Sequence, residues 1–152
     1  MQDLQLIKSA FEKIDDLLND EIAKSFREGD TIQKVKWEER REILNRAFYV
    51  LCFGQFEREV DDKFEAAKAS RQSNNDWTKR RGWDTEYIKG KRVRFEDRVA
   101  MVLDRNTGSD YGDVMRHYGD RNHAAHGGLS KPIGSVDNLI LDLLRLGGRL
   151  TS

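Results

Sequence analysis

Residues 44–67 read LNRAFYVLCFGQFEREVDDKFEAA and carry the densest apolar pattern of this 152-residue chain. Their large apolar side chains recur mostly every three or four positions, which places them on one face of an α-helix. These positions are Leu44, Phe48, Leu51, Phe53, Phe56, Val60, Phe64 and Ala67. We predict one helix from about residue 33 to 71, roughly 60 Å long at about 1.5 Å per residue. A helix of this length is expected to bend, and Gly54 is the candidate position.

Helix-spaced apolar residues continue on both sides of this segment. They are Leu4, Ile7, Phe11, Ile14, Leu18 and Ile22 before it, and Phe95, Val99, Val102, Leu103, Tyr111, Val114, Met115, Tyr118, Val136, Leu139, Ile140, Leu143 and Leu144 after it. Asp30 or Thr31 offers an N-cap for the long helix, and Ser135 offers one for the last helix. The helix before the last is expected to end at Gly127 and Gly128, because glycine commonly follows a helix C-terminus.

The fold class follows from these helices and from what interrupts them. The chain has a single proline, Pro132, which suits an all-helical protein because proline disrupts helix interiors. The first helix is expected to end near Gly29. Residues 72–91 break the helical pattern with turn residues, and we predict a long loop there that includes at most a short strand or helical turn. We therefore predict one all-α domain, residues 1–152, built as a bundle of four to five helices with this loop between the second and third.

Composition excludes several classes of protein. Lysine and arginine number 27, as do aspartate and glutamate, so the net charge of zero excludes a generally basic nucleic-acid coat. No apolar run reaches the roughly 18 residues needed to span a membrane, and the N-terminus lacks the pattern of a signal peptide. Cys52 is the single cysteine, which excludes an internal disulfide and fits a reducing compartment. We expect a cytoplasmic protein without a membrane partner.

The densest polar cluster is residues 116–128, RHYGDRNHAAHGG, which contains all three histidines of the chain. Histidine is the usual acid or base near neutral pH, and arginine can hold a phosphate through two parallel hydrogen bonds. The two residue types together suit phosphoryl transfer without a metal, because one moves protons while the other neutralises charge on phosphate oxygens.

Within this cluster, Arg121 and His126 are separated by four residues, and the stretch 121–127 reads RNHAAHG. This resembles the arginine-to-histidine signature of HEPN (higher eukaryotes and prokaryotes nucleotide-binding) domains. Upstream, residues 46–57, RAFYVLCFGQFE, are similar to the second helix of HEPN ribonucleases, in which an apolar run ends in an aromatic–glutamate pair. The order of helices also fits, and the chain most resembles HEPN ribonuclease toxins of the RiboL-PSP-HEPN type.

The resemblance implies a metal-independent endoribonuclease without a cofactor. Such enzymes use the RNA 2′-hydroxyl as nucleophile and leave a 2′,3′-cyclic phosphate. It implies that His126 is the general acid or base, that Arg121 stabilises charge on the scissile phosphate, and that Asn122 orients the phosphate or the arginine. It also implies supporting roles for Glu57, which could pair with Arg121, and for Arg46, the other possible partner of Glu57.

Helix geometry constrains the catalytic pair. Positions five apart on a helix differ by about 140° and about 7.5 Å, so Arg121 and His126 do not share a face. The resemblance implies a homodimer, in which two motifs meet across a composite cleft, and a bacterial or archaeal toxin or defence effector with a possible cognate antitoxin. Some HEPN toxins are controlled by modification of a tyrosine two residues after the histidine. Gly128 occupies that position here, so this control is not expected.

A second group of candidate residues lies in the predicted loop. Residues 79–94 hold seven basic and two acidic side chains, a local charge of +5. The candidate RNA-binding residues are Arg80, Arg81, Lys89, Lys91 and Arg92. Trp77, Trp83 and Tyr87 are interleaved with them, and such aromatic rings can stack on bases while cations hold the backbone. The same rings can equally pack against the bundle or a partner.

Other interpretations remain open. His117 and His123 are expected at the surface or behind the site. A metal centre is disfavoured, because these histidines lack the spacing of a helical zinc pair and Cys52 offers no CxxC. The chain could also be a non-catalytic HEPN-like module that binds a protein or nucleotide, or an unrelated helical interaction protein. In the last case Arg121 and His126 would point away from each other and from any cleft.

Overall fold

The computed structural model describes residues 2–83, 93–106, 108–127, 129 and 132–151. These residues form six α-helices and no strand, which confirms the predicted all-α class. The helices are α1 (Gln2–Arg27), α2 (Thr31–Gln72), α3 (Trp77–Arg80), α4 (Phe95–Val102), α5 (Asp110–His126) and α6 (Val136–Gly147). Five of them have eight residues or more, in agreement with the predicted bundle, and α3 is a short addition of four residues.

The helix ends lie where the capping residues predict them. Asp30 caps α2 by accepting a hydrogen bond from the Gln33 backbone at 2.9 Å, and Ser135 caps α6 through Asn138. Gly29 has a φ of 73°, a left-handed conformation that glycine adopts without strain at the turn between α1 and α2. Helix α5 ends at His126, directly before Gly127, as predicted.

Helix α2 is the central element and packs against each of the other helices. It runs through Gly54 without interruption, so this glycine does not divide the segment into two helices. Its buried apolar side chains are Tyr49, Cys52, Phe53, Phe56, Val60, Phe64 and Ala67. Leu51, predicted in the apolar stripe, is exposed instead, because the neighbouring Cys52 occupies the face that points into the core.

The other helices complete the core around α2. Their fully or nearly fully buried side chains are Leu4 and Phe11 from α1, Phe95, Val99 and Val102 from α4, Val114 from α5, and Val136, Leu139, Ile140, Leu143 and Leu146 from α6. The part of the predicted loop that the structure describes contains α3, which corresponds to the helical turn allowed there. None of the helices among the described residues combines the length and the apolar character that crossing a membrane requires.

Candidate functional site

The arginine of the motif is held by two side chains. Arg121 lies on α5, and its Nη2 donates to Glu57 Oε2 of α2 at 3.0 Å. Its Nη1 donates to Oδ1 of the neighbouring Asn122 at 2.8 Å. Both members of the ion pair are mostly buried, with 27% of the Arg121 side chain and 22% of the Glu57 side chain exposed. The structure therefore brings together three predicted site residues and fixes the orientation of the guanidinium.

Arg121 and Glu57 line a cleft of about 500 Å³ between α2, α4 and α5. The cleft is also lined by Val93, Arg94, Phe95, Glu96, Arg98 and Tyr118. Burial raises the pKa of Glu57, and the adjacent Arg121 guanidinium opposes part of that rise. The Nε of Arg121 is buried and has no hydrogen-bond partner within the described part of the chain. This nitrogen is shielded from solvent, so it is not a donor that is open to the cleft.

The histidine of the motif lies in a different environment. His126 is the exposed last residue of α5 and lines a separate cavity of about 550 Å³. The other residues that line this cavity are Ile43, Arg46, Ala47, Val50, Ala124, Ala125 and Leu129. Its walls are thus mainly apolar. Within one chain, Arg121 and His126 open onto different cavities, as the predicted difference of about 140° requires.

Arg46 belongs to the His126 cavity and not to the Arg121 cleft. Its Nε donates to Glu42 Oε1 at 2.9 Å, one helical turn earlier on α2. Arg46 is 6% exposed and is one of the residues that line this cavity. Of the two pairings predicted for Glu57, the structure has the one with Arg121.

Gly127 has a steric role at the end of α5. A Cβ added at this position would collide with the His123 ring and approach the His123 carbonyl oxygen to 2.7 Å. The Gly127 backbone N–H donates to that same carbonyl oxygen and closes the last turn. The His123 Nε2 is buried without a hydrogen-bond partner among the described residues. The glycine after the motif histidine is therefore explained by the close approach of the chain to His123.

The third histidine, His117, is buried. It is 3% exposed, so of the two positions expected for it, at the surface or behind the site, the surface position is excluded. Its Nδ1 lies 2.8 Å from the Tyr49 hydroxyl, and its Nε2 lies 2.9 Å from Asp142 Oδ2. The sequence feature that indicates a buried polar partner is Tyr49, because a tyrosine in a buried apolar stripe needs a polar partner for its hydroxyl.

The candidate RNA-binding residues are only partly within the described range. Arg80 donates to the Asn74 carbonyl at 3.0 Å. This hydrogen bond stabilises the turn before α3. The exposed Arg81 lies over the ring of Trp77, 5.5 Å from its centroid. Trp83 packs against Phe64 of the core. The remaining three candidates, Lys89, Lys91 and Arg92, lie outside the described residues, as does Tyr87.

In the part of the chain that the structure covers, no group of three or more histidine, cysteine, aspartate or glutamate residues is arranged to hold a metal ion. No protein-family profile matches the chain, and neither curated proteins nor solved structures provide a significant match. The fold and the site by themselves define an all-helical bundle. Its fifth helix carries an oriented arginine and an exposed histidine.

Proposed function

We propose that this protein is a metal-independent endoribonuclease of the HEPN type that acts as a homodimer. The observation that carries the proposal is the orientation of Arg121 by Glu57 and Asn122, beside a cleft and five residues before an exposed histidine. An arginine held rigidly is suited to bind a phosphate oxygen, because little conformational entropy is lost on binding.

The proposed reaction uses the RNA itself as nucleophile. His126 removes the proton of a 2′-hydroxyl, and the resulting oxygen attacks the adjacent phosphorus. The bond from phosphorus to the 5′-oxygen breaks, and that oxygen takes up a proton from water to leave as a 5′-hydroxyl, while protonated His126 returns its proton to solvent. Arg121 stabilises the negative charge that develops on the phosphate oxygens. The products are a 2′,3′-cyclic phosphate and a 5′-hydroxyl end.

A second copy of the chain is proposed to complete the site. Arg121 and His126 open onto different cavities, so one chain does not present both residues to a single phosphate. The His126 cavity has apolar walls, and Ile43 and Leu129 at its edge are 55% and 51% exposed. Burying such side chains against a second copy is favourable, and a two-fold dimer would bring Arg121 of one chain toward His126 of the other.

The test of the activity is RNA cleavage followed by analysis of the product ends. His126→Ala should reduce the rate at least about 100-fold, the usual contribution of a general acid or base. Arg121→Ala should reduce it about 100- to 1,000-fold, as for loss of a group that stabilises transition-state charge. Arg116→Ala is the matched control, because Arg116 is an exposed arginine on the same helix. EDTA should leave the wild-type rate unchanged.

The test of the composite site is a mixing experiment. A dimer of one Arg121→Ala chain and one His126→Ala chain has one site without either group and one complete site. Mixing the two inactive variants should therefore recover about a quarter of the wild-type activity, because about half of the dimers formed at random are mixed. Activity that stays at zero in the mixture, with mixed dimers present, would place both groups in one chain and contradict the composite cleft.

The biological role that this activity suits is a toxin or defence effector in the cytoplasm, held in check by a cognate antitoxin. The alternative is a non-catalytic HEPN-like module that binds a protein or nucleotide. The same cleavage assay separates the two. Folded wild-type protein that binds RNA or nucleotide but leaves RNA intact at every ion composition tested would support the module and exclude the nuclease.

A further inference from the structure

A chain of buried and part-buried polar groups connects α2, α5 and α6 on the side of α5 opposite His126. His117 lies in its centre, 2.8 Å from the Tyr49 hydroxyl through Nδ1 and 2.9 Å from Asp142 Oδ2 through Nε2. The Tyr49 hydroxyl is also 3.4 Å from Asp120 Oδ2. Tyr49 is completely buried, and both ring nitrogens of His117 have partners. His117 is therefore not free to exchange a proton with a substrate, and its role must act through these neighbours.

The neutral form of this network has one consistent arrangement of protons. The hydrogen bond with His117 holds the pKa of Asp142 below its usual range, against the opposing effect of burial, so this carboxylate is ionised and can only accept. The proton of a neutral His117 therefore sits on Nε2, and Nδ1 is an acceptor. The Tyr49 hydroxyl must donate to Nδ1, which leaves it no proton to donate to Asp120.

Protonation of His117 reverses one of these bonds. Both ring nitrogens are then donors, so Nδ1 donates to the Tyr49 oxygen. Burial, with the nearby Asp120 carboxylate, raises the pKa of the Tyr49 phenol, which therefore keeps its own proton. The hydroxyl is free to turn its proton toward Asp120 Oδ2. One added proton thus reverses the hydrogen bond between His117 and Tyr49. It also adds a bond from the Tyr49 hydroxyl on α2 to Asp120, the residue before Arg121.

The charged groups around His117 come from each helix packed on it. From α5, Arg116 Nη2 lies 3.3 Å from His117 Nε2, and Asp120 Oδ2 lies 3.4 Å from the Tyr49 hydroxyl that contacts the ring. From α6, Asp142 Oδ2 lies 2.9 Å from His117 Nε2, and Arg145 Nη2 lies 3.5 Å from the second Asp142 oxygen. From α2 the ring faces only the Tyr49 hydroxyl among the described contacts.

The network borders a cavity on the surface of the bundle. Tyr49, His117 and Asp142 line a cavity of about 380 Å³, together with Arg116, Gly134, Ser135, Asn138 and Leu141. A Cβ at Gly134 would lie 3.9 Å from both the Tyr49 hydroxyl and Asp120 Oδ2, so the backbone passes directly over their contact. Water in this cavity can reach the network, although the His117 ring itself is nearly closed off.

We propose that Asp142, His117, Tyr49 and Asp120 form a proton-linked switch in which protonation of His117 redirects the Tyr49 hydroxyl to Asp120. The switch forms or removes a hydrogen bond between Tyr49 of α2 and Asp120 of α5, immediately before Arg121. It does not depend on the proposed nuclease activity, because every group in it belongs to the fold and its readout is the proton position itself.

The first experiment measures the tautomer of His117 in the wild-type chain by nitrogen-15 NMR. A neutral ring protonated on Nε2 is expected at high pH, and a doubly protonated ring with a Tyr49 hydroxyl that donates to Asp120 at low pH. A neutral ring protonated on Nδ1 would overturn the proposal. This measurement needs no substitution, so it decides the matter even if a variant fails to fold.

The second experiment asks whether Asp120 acts through Tyr49. Asp120→Asn should lower the proton affinity of His117 about threefold or more, because the redirected hydroxyl loses a charged acceptor. The same substitution in a Tyr49→Phe background should have a much smaller effect. Asp113→Asn is the matched control, because Asp113 is an acid on the same helix, one turn before His117, without a Tyr49 contact. Its effect should be equal in both backgrounds. If Asp120→Asn lowers the proton affinity of His117 equally in both backgrounds, Asp120 acts on the ring only by direct charge attraction and not through the Tyr49 hydroxyl. That result would overturn the switch.

Discussion

His117 and His126 lie on the same helix, nine residues apart, yet they occupy opposite kinds of site. His117 is buried, with both ring nitrogens bonded to side chains of other helices. His126 is exposed at the helix end and borders an apolar cavity. Nine residues correspond to about 180° around a helix, so one histidine faces the bundle and the other faces away. The same residue type thus serves the fold at one position and is available for chemistry at the other.

Arg121 lies between the buried His117 and the exposed His126 along α5, and its contacts connect the two parts of the helix. It is four residues from His117, about 40° around the helix, and therefore remains near the face that meets α2. That position explains its ion pair with Glu57 across the interface. The buried region thus orients the arginine, while the histidine proposed to act with it is left on the exposed side.

The largest expected effect is on the stability of the fold. His117→Ala should lower the free energy of unfolding by about 2 to 3 kcal/mol, because it leaves buried Tyr49 and part-buried Asp142 without their central partner. His126→Ala should change it by less than about 0.5 kcal/mol, since the side chain is exposed. Urea unfolding of both variants checks this contrast. Equal losses would show that the two histidines do not differ in the way described.

A smaller loss is expected from Tyr49→Phe, which removes one hydroxyl and keeps the ring. It should cost about 1 kcal/mol, because Nδ1 of buried His117 loses its hydrogen-bond partner. Tyr118→Phe is the matched control on α5, since the Tyr118 hydroxyl has no hydrogen bond within the described residues. If chemical unfolding gives the two tyrosine variants the same stability, the Tyr49 bond adds nothing to the fold.

The acid sensitivity of the buried region should depend on Asp142. Its pKa is held below the ordinary range, chiefly by the hydrogen bond from His117. The ionised carboxylate therefore stabilises the fold above the ordinary aspartate pKa of about 4, and this contribution is lost as the pH falls below that value. Asp142→Asn should flatten the decline of stability in this acidic window. A slope for Asp142→Asn identical to that of the wild type would argue against the bond.

A small effect on stability is expected at Glu57, although it forms an ion pair. Burial raises its pKa despite the attraction of Arg121, so the charged form contributes little net stabilisation. Glu57→Gln should change the free energy of unfolding by less than about 1 kcal/mol at neutral pH. RNA cleavage, if the proposed function holds, should fall about tenfold, because Arg121 loses its charged anchor. A stability loss above 2 kcal/mol with cleavage unchanged would assign Glu57 to the fold alone.

Much of the fold was predictable because helices are specified locally. The spacing of apolar residues and the caps at Asp30 and Ser135 depend on neighbours within one or two turns. The separation of Arg121 and His126 onto different sides of α5 also followed from helix geometry alone. The short helix α3 was less certain, because four residues carry too little periodicity to distinguish a helical turn from a loop.

The pairing of side chains across helices was decided only by the tertiary structure. Glu57 and Arg121 are 64 positions apart, and Tyr49 and His117 are 68 apart, so nothing in the local sequence sets their contact. The rotation at which α5 docks on α2 and α6 buries His117 and leaves His126 outside, and it results from packing of the whole core. The sequence by itself determined the helices, their ends and the polar cluster on α5. Only the packed bundle decided which members of that cluster support the fold and which remain accessible, because burial depends on all the surfaces that meet at once.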